Sequence, residues 1–262
     1  MLSDQAFSRY SRQIALSEIG EQGQKRLINA HVLIIGCGGL GSAAALYLAG
    51  AGVGRMVLVD DDTIESSNLH RQVVYRSKDV GRSKTKAMAD QLTALNGDVQ
   101  LRGLSHRLDE AQLSMEVMLA DIVLDCSDNI ETRHLINQVC YKKNTPLISA
   151  AAIGWQGQFA VFDYSDTNGC YRCLYPFEQL SHDTNCQSMG VVGAVVGILG
   201  NYQALAALQM LALDEFIVAT GQLHLFDGKT MSWQTVAISR DSSCLVCGNL
   251  DNRLQVMVEE MQ

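Results

Sequence analysis

Proline is scarce in this chain: 262 residues carry 2, Pro146 and Pro176. No Gly/Ser-rich or proline-rich stretch separates its apolar segments, which argues against two domains on a flexible tether. Basic residues are in deficit, with 20 Lys and Arg against 28 Asp and Glu and a formal charge of −8. The broad basic footprint of a nucleic-acid binder is therefore missing, although a local basic pocket for a small anion remains open. The N-terminus lacks an apolar stretch of signal-peptide length, so the expectation is a cytoplasmic protein. Charge is also absent from Thr184 to Leu213. Asn201, Gln203 and Gln209 interrupt that stretch, and four glycines fill its first half. It reads as a buried helix rather than a membrane span.

What the chain does hold is apolar content, 47%, and eight cysteines. The first is enough for a sizeable core. The second, in a chain expected in the cytoplasm, points to metal or catalysis before disulfides. Residues 31–151 alternate short apolar runs with helical patterns: strands at 31–35, 55–60, 99–104, 120–125 and 146–151, and helices at 40–51, 80–95, 109–119 and 131–142. That order predicts a Rossmann-like α/β fold, a mostly parallel sheet covered by helices on both faces. After Gly157 the pattern changes. Residues 158–164, 222–226 and 232–238 alternate in polarity as antiparallel strands do. One domain over 1–262 is expected: a helical arm at 1–30, a nucleotide-binding part at 31–155, an antiparallel part at 156–249 and a tail at 250–262. Residues 61–79 have no periodicity, and a loop that long is usually functional.

Gly36-Cys-Gly38-Gly39-Leu-Gly41 matches G-x-G-x-x-G between a strand and a helix, the context in which glycines let backbone approach a phosphate at a helix N-terminus. Asp60 ends the next strand, where a carboxylate takes a ribose hydroxyl. The loop alone does not choose between NAD, FAD and ATP. Cys170-Tyr-Arg-Cys173 and Cys244-Leu-Val-Cys247 are two C-x-x-C pairs, and four thiolates in such pairs suit a closed, structural Zn²⁺ site. Arg71 and Lys84 would neutralise a triphosphate, and Asp128 would hold Mg²⁺ at the carboxyl end of the sheet. Singly these are ordinary loop charges; together, on the switch-point loops of one sheet, they make a site.

The stretches G-C-G-G-L-G, V-D-D-D-T-I-E-S-S-N-L-H-R-Q, V-G-R-S-K and L-D-C-S-D-N, with the paired C-x-x-C motifs and Arg9-Tyr-Ser-Arg12-Gln, resemble the ThiF/MoeB/HesA family over about residues 5 to 249. These proteins are similar to the adenylating part of ubiquitin-activating enzymes. The resemblance implies Mg-ATP-dependent adenylation of the C-terminal Gly-Gly carboxylate of a small ubiquitin-like sulfur carrier, with release of pyrophosphate. It implies nucleotide contacts from Gly39, Asp60, Asp62, the loop Ser67, Asn68, Leu69, His70, Arg71 and Gln72, Lys84, Asp128 and Asn129. It also implies a homodimer in which Arg12 reaches the partner's triphosphate. Cys186 would be a sulfur-transfer cysteine supplied by a persulfide donor of the cysteine desulfurase or rhodanese type. Within the family, Asn185-Cys186-Gln-Ser-Met-Gly-Val-Val-Gly and Leu225-Phe-Asp-Gly-Lys229 with Trp233 resemble the thiamine-thiazole branch. The molybdopterin branch stays as an alternative, and an NAD- or FAD-dependent oxidoreductase as one of another class.

Overall fold

A computed structural model describes residues 2–165, 167–177 and 190–248. Cys186 lies outside the described residues. Two helices lead the chain, α1 (Asp4–Ile14) and α2 (Gly20–Asn29). Then β1 (His31–Ile35), α3 (Gly39–Ala51), β2 (Arg55–Val59), α4 (Lys84–Leu95), β3 (Gln100–Leu104), α5 (Glu110–Leu119), β4 (Ile122–Asp125), α6 (Ile130–Lys143) and β5 (Leu147–Ile153) alternate as the sequence predicts. β6 (Gln156–Phe162), a short α7 (Tyr171–Leu174), α8 (Gly193–Leu213), β7 (Gln222–Asp227) and β8 (Ser232–Ala237) follow.

The strands form one eight-stranded sheet in the order β3-β2-β1-β4-β5-β6-β7-β8. β1 to β5 run parallel, and β6, β7 and β8 extend the sheet antiparallel. Both faces of the parallel part are covered, so successive strand residues alternate between two cores. Val32, Ile34, Met56, Leu58, Ile122 and Leu124 pack under α3, α4 and α8. Leu33, Ile35, Val57, Val59 and Val123 pack under α5 and α6. Strand order reverses at β1, whose neighbours are β2 and β4. That reversal opens a crevice beyond the carboxyl ends of β1 and β4, the place where such sheets bind ligands.

The helix α8 is long and apolar enough to cross a membrane, but half of it is buried in this fold. Its glycines explain how. A Cβ on Gly200 would lie 2.4 Å from the Leu40 carbonyl oxygen, so α8 crosses α3 at backbone contact. Two expected boundaries move. The helix expected from Val80 starts at Lys84, because residues 81–84 pair with 62–64 instead. Gly81 N–H donates to Ile64 O, Ile64 N–H to Arg82 O, and Lys84 N–H to Asp62 O at 3.1 Å. The buried helix expected within Thr184 to Leu213 starts at Gly193, because Val191 first bridges Gly154.

Candidate nucleotide site and metal centre

The loop leaving β1 is built on backbone contact. Gly36 sits at φ +96°, and a Cβ there would lie 2.5 Å from Cys126 O, in the loop leaving β4. A Cβ on Gly41 would lie 2.0 Å from Gly36 O. Neither position accepts a side chain, whereas a Cβ on Gly38 would meet only Gln72 Nε2, at 3.8 Å. Gly41→Ala is therefore expected to cost on the order of 2–4 kcal/mol, as overpacking against fixed backbone does, and to abolish nucleotide binding. Chemical denaturation and ATP titration of the variant check both.

Asp60 closes the loop from the side. Its carboxylate accepts from Cys37 N–H at 2.7 Å and Asp62 N–H at 2.8 Å. Lys84, 6% exposed, donates to Asp62 at 2.6 Å and lies 3.9 Å from Asp60. The displaced start of α4 is what brings Lys84 here. Burial pushes the Asp60 carboxyl up from its ordinary range, and the Lys84 ammonium opposes that shift. Arg107, after β3, bonds Asp61 at 3.0 Å, and this contact raises its own pKa. So the run Asp60-Asp61-Asp62 meets two cations, of which sequence reasoning had found Lys84 alone.

The segment 66–72 lies across the opening. Asn68 is buried and accepts from Glu65 N–H at 3.1 Å, Ser67 donates to Glu65, and Leu69 packs on the core. Arg71 is held by Ser67 O at 3.1 Å and lies 2.9 Å from exposed His70. The start of α8 presses on this segment, since a Cβ on Gly193 would lie 2.6 Å from His70 O. Gln72 is 3% exposed and faces Gly38, and its Oε1 has no hydrogen-bond partner among the described residues. A buried amide oxygen without such a partner, on a side chain whose Nε2 lies against the glycine loop, is compatible with a ligand that carries hydroxyl or amino donors.

At the carboxyl end of β4, a buried pair fixes the next loop. Asp125 accepts from Ser127 Oγ at 2.6 Å and Ser149 Oγ at 2.9 Å, and stands 3.4 Å from Arg133. Arg133 also donates to the Ser127 and Ala150 carbonyls. Gln203 of α8 donates to Asp125 O at 2.8 Å. Asp128 is thereby presented exposed at the crevice, and Asn129 caps α6 by accepting from Thr132 N–H at 2.9 Å. One carboxylate is what Mg²⁺ needs when phosphates and waters fill its other positions. The Asp125–Arg133 pair escapes sequence reading because Asp125, although it lies in the L-D-C-S-D-N stretch, meets Arg133 only once α6 packs beside β4.

Arg12 does not join the others. The neighbouring Gln13 donates to Ala51 O at 3.1 Å, at the far end of α3 from the glycine loop. α3 is about 20 Å long. Arg12 thus stands exposed at the opposite end of the domain from its own chain's crevice.

The four knuckle cysteines do converge, with sulfurs within 4.8 Å of one another. Cys170 Sγ is 3.7 Å from Cys244 Sγ, and Cys173 Sγ is 3.3 Å from Cys247 Sγ. These separations exceed the ~2.05 Å of a disulfide and approach the ~3.8 Å edge of a tetrahedron with 2.3 Å metal–sulfur bonds. The donor set therefore fits a metal with no open position. Cys37, Cys126 and Cys140 are buried, and burial pushes each thiol up, away from reactivity.

A switch-point crevice with a glycine loop, a paired lysine, an arginine loop and a presented carboxylate is the arrangement of a nucleotide-binding α/β protein. Residues 10–246 match the ThiF family, and the chain belongs to it. It is 49% identical over 247 residues to the sulfur carrier protein ThiS adenylyltransferase of Escherichia coli, covering 94% of this chain and 97% of that one. It is 39% identical to the E. coli molybdopterin-synthase adenylyltransferase, over 94% and 98% of the two chains. A crystal structure of E. coli MccB with ATP superposes with a TM-score of 0.79 at 26% identity, over 92% of this chain and 74% of that one. Family membership closes the oxidoreductase alternative.

Proposed function

We propose that this ThiF-family enzyme uses Mg-ATP to adenylate the C-terminal Gly-Gly carboxylate of a small ubiquitin-like sulfur carrier of the ThiS type. A carboxylate is a poor electrophile, and converting it to an acyl-adenylate supplies AMP as a good leaving group. The carboxylate oxygen attacks the α-phosphorus, and pyrophosphate departs with the bonding electrons. Catalysis of this kind is positioning plus charge stabilisation. The glycine loop and Gln72 seat the nucleotide, and Asp60 takes the ribose. Lys84 and Arg71 face the phosphates, and Asp128 would hold Mg²⁺ against them. Zn²⁺ in the cysteine cluster would hold the segment after β8 to α7 and supply folding free energy rather than chemistry.

The observation that carries this reading is convergence: four loops, from 36–41, 60–62, 67–72 and 125–129, meet at one strand reversal. The choice of a ThiS-type carrier over a molybdopterin-synthase subunit follows the higher identity, 49% against 39%. ATP–pyrophosphate exchange tests it. Exchange should require a carrier ending in Gly-Gly and fail when the terminal glycine is removed. Exchange that proceeds equally without any carrier overturns the proposal, and preference for a molybdopterin-synthase small subunit reassigns the carrier.

Sulfur transfer is a separate step, and Cys186 is our candidate for it. Adenylation needs no thiol, whereas forming a thiocarboxylate needs a sulfur nucleophile in its thiolate or persulfide form. Cys186→Ser is expected to keep pyrophosphate exchange near wild type. It should lose any reductant-releasable carrier adduct seen by mass spectrometry with a persulfide donor present. Thiocarboxylate formation at the wild-type rate would make Cys186 a bystander.

A further inference from the structure

Asn137 is fully buried in α6, two turns beyond the helix start that follows Asp128, and every atom of its amide has an assigned partner. Oδ1 accepts from the Tyr171 backbone N–H at 3.0 Å and lies 3.4 Å from the Tyr164 hydroxyl. A backbone N–H only donates, so the acceptor oxygen must face Tyr171. The amide nitrogen is then left pointing at Cys170 Sγ, 3.5 Å away. A second N–H, that of Asp241, points at Cys173 Sγ at 3.4 Å. Cys170 is 1% exposed, so water does not solvate its sulfur.

We propose that Asn137 is the side chain that holds the Cys170 thiolate in place and partly offsets its charge, and so sets how tightly the cluster keeps its metal. Four thiolates around one divalent ion leave a net charge of −2, which burial penalises unless N–H groups aim at the sulfurs. Groups that orient metal ligands in this way typically contribute 10- to 100-fold in affinity. The same residue links the cluster to α6, whose N-terminus carries the Asp128 loop. Nothing in the Cys-x-x-Cys spacing points to Asn137, because it lies in a different segment from both pairs and reaches them only through packing.

The inference rests on the cluster holding a metal, and the experiment separates the two. Full-length wild type and Asn137→Asp are compared for metal content, zinc affinity against a chromophoric chelator, and circular dichroism. Aspartate keeps an acceptor for Tyr171 N–H but puts an acceptor oxygen where the donor stood. Expected is a 10- to 100-fold loss of zinc affinity with native circular dichroism. A second measurement needs no variant: in ¹¹³Cd-loaded, ¹⁵N-labelled wild type, the Asn137 side-chain amide protons should show coupling to cadmium through Cys170 sulfur. Absence of that coupling overturns the proposal even if Asn137→Asp fails to fold. Wild type that holds metal while Asn137→Asp holds it equally well sinks this inference alone. Wild type that takes up no metal sinks the reading of the cluster and the inference with it.

Discussion

Asp128→Ala and Arg71→Ala are each expected to lower carrier-dependent ATP–pyrophosphate exchange by on the order of 10²- to 10³-fold, the usual loss when one charge-stabilising contact leaves a reacting centre. The structure makes both variants clean. Asp128 is exposed, while the bonds that shape its loop belong to Asp125, Ser127, Ser149 and Arg133. Removing its carboxylate should leave stability within about 0.5 kcal/mol. Among the described residues, Arg71 likewise bonds its own loop and the neighbouring His70. Lys84→Ala is a poorer probe, because it also strips the cation from half-buried Asp60 and from Asp62, mixing folding with catalysis. The two clean variants should separate further. With Asp128 removed, raising Mg²⁺ should recover part of the rate if the carboxylate acts through the metal, whereas Arg71→Ala should not respond. Near-wild-type exchange in either variant would remove that residue from the site.

Much of this was legible beforehand for a physical reason. Strands buried on both faces must be apolar throughout, so β1, β2, β4 and β5 stand out between helical patterns. The glycine loop was legible because backbone contact at Gly36 and Gly41 permits no other residue. The cysteine cluster was legible because tetrahedral thiolate sites reuse one spacing. What stayed hidden depends on partners distant in sequence. The start of α4 moves from Val80 to Lys84 because residues 62–64 capture 81–84 in a short antiparallel pairing that no local pattern announces. Arg107 looked like any loop arginine until β3 brought it beside Asp61. Arg133 and Gln203 sit on helices and look like ordinary polar residues, yet both clamp the backbone and side chains at the end of β4. Their burial follows from the packing of α6 and α8, not from their neighbours in sequence.

Mixing inactive Arg12→Ala chains with inactive Asp128→Ala chains is expected to restore exchange, to about a quarter of a matched wild-type preparation if subunits mix at random. The argument begins with distance. Tyr10 bonds Asn96 at 2.8 Å and Gln13 reaches Ala51, so α1 is pinned where α3 ends. The glycine loop lies at the start of α3, about 20 Å away. An arginine side chain spans about a third of that, taking a few ångströms per extended residue as the scale. Arg12 therefore serves a nucleotide only if that nucleotide belongs to another copy, and a homodimer with crevices facing the neighbour's α1 is our proposal. Random mixing gives half mixed dimers. In each, one crevice combines an intact Asp128 with an intact Arg12 from its partner, while the other lacks both. Half the dimers with half their crevices intact gives the quarter. Subunit exchange must be shown independently, for example by mass spectrometry of differently tagged chains. Recovery near a quarter supports sharing across the interface. Arg12→Ala chains that are fully active on their own place Arg12 outside the reaction, whereas no recovery from two inactive chains despite proven exchange rules out sharing of Arg12 across the interface.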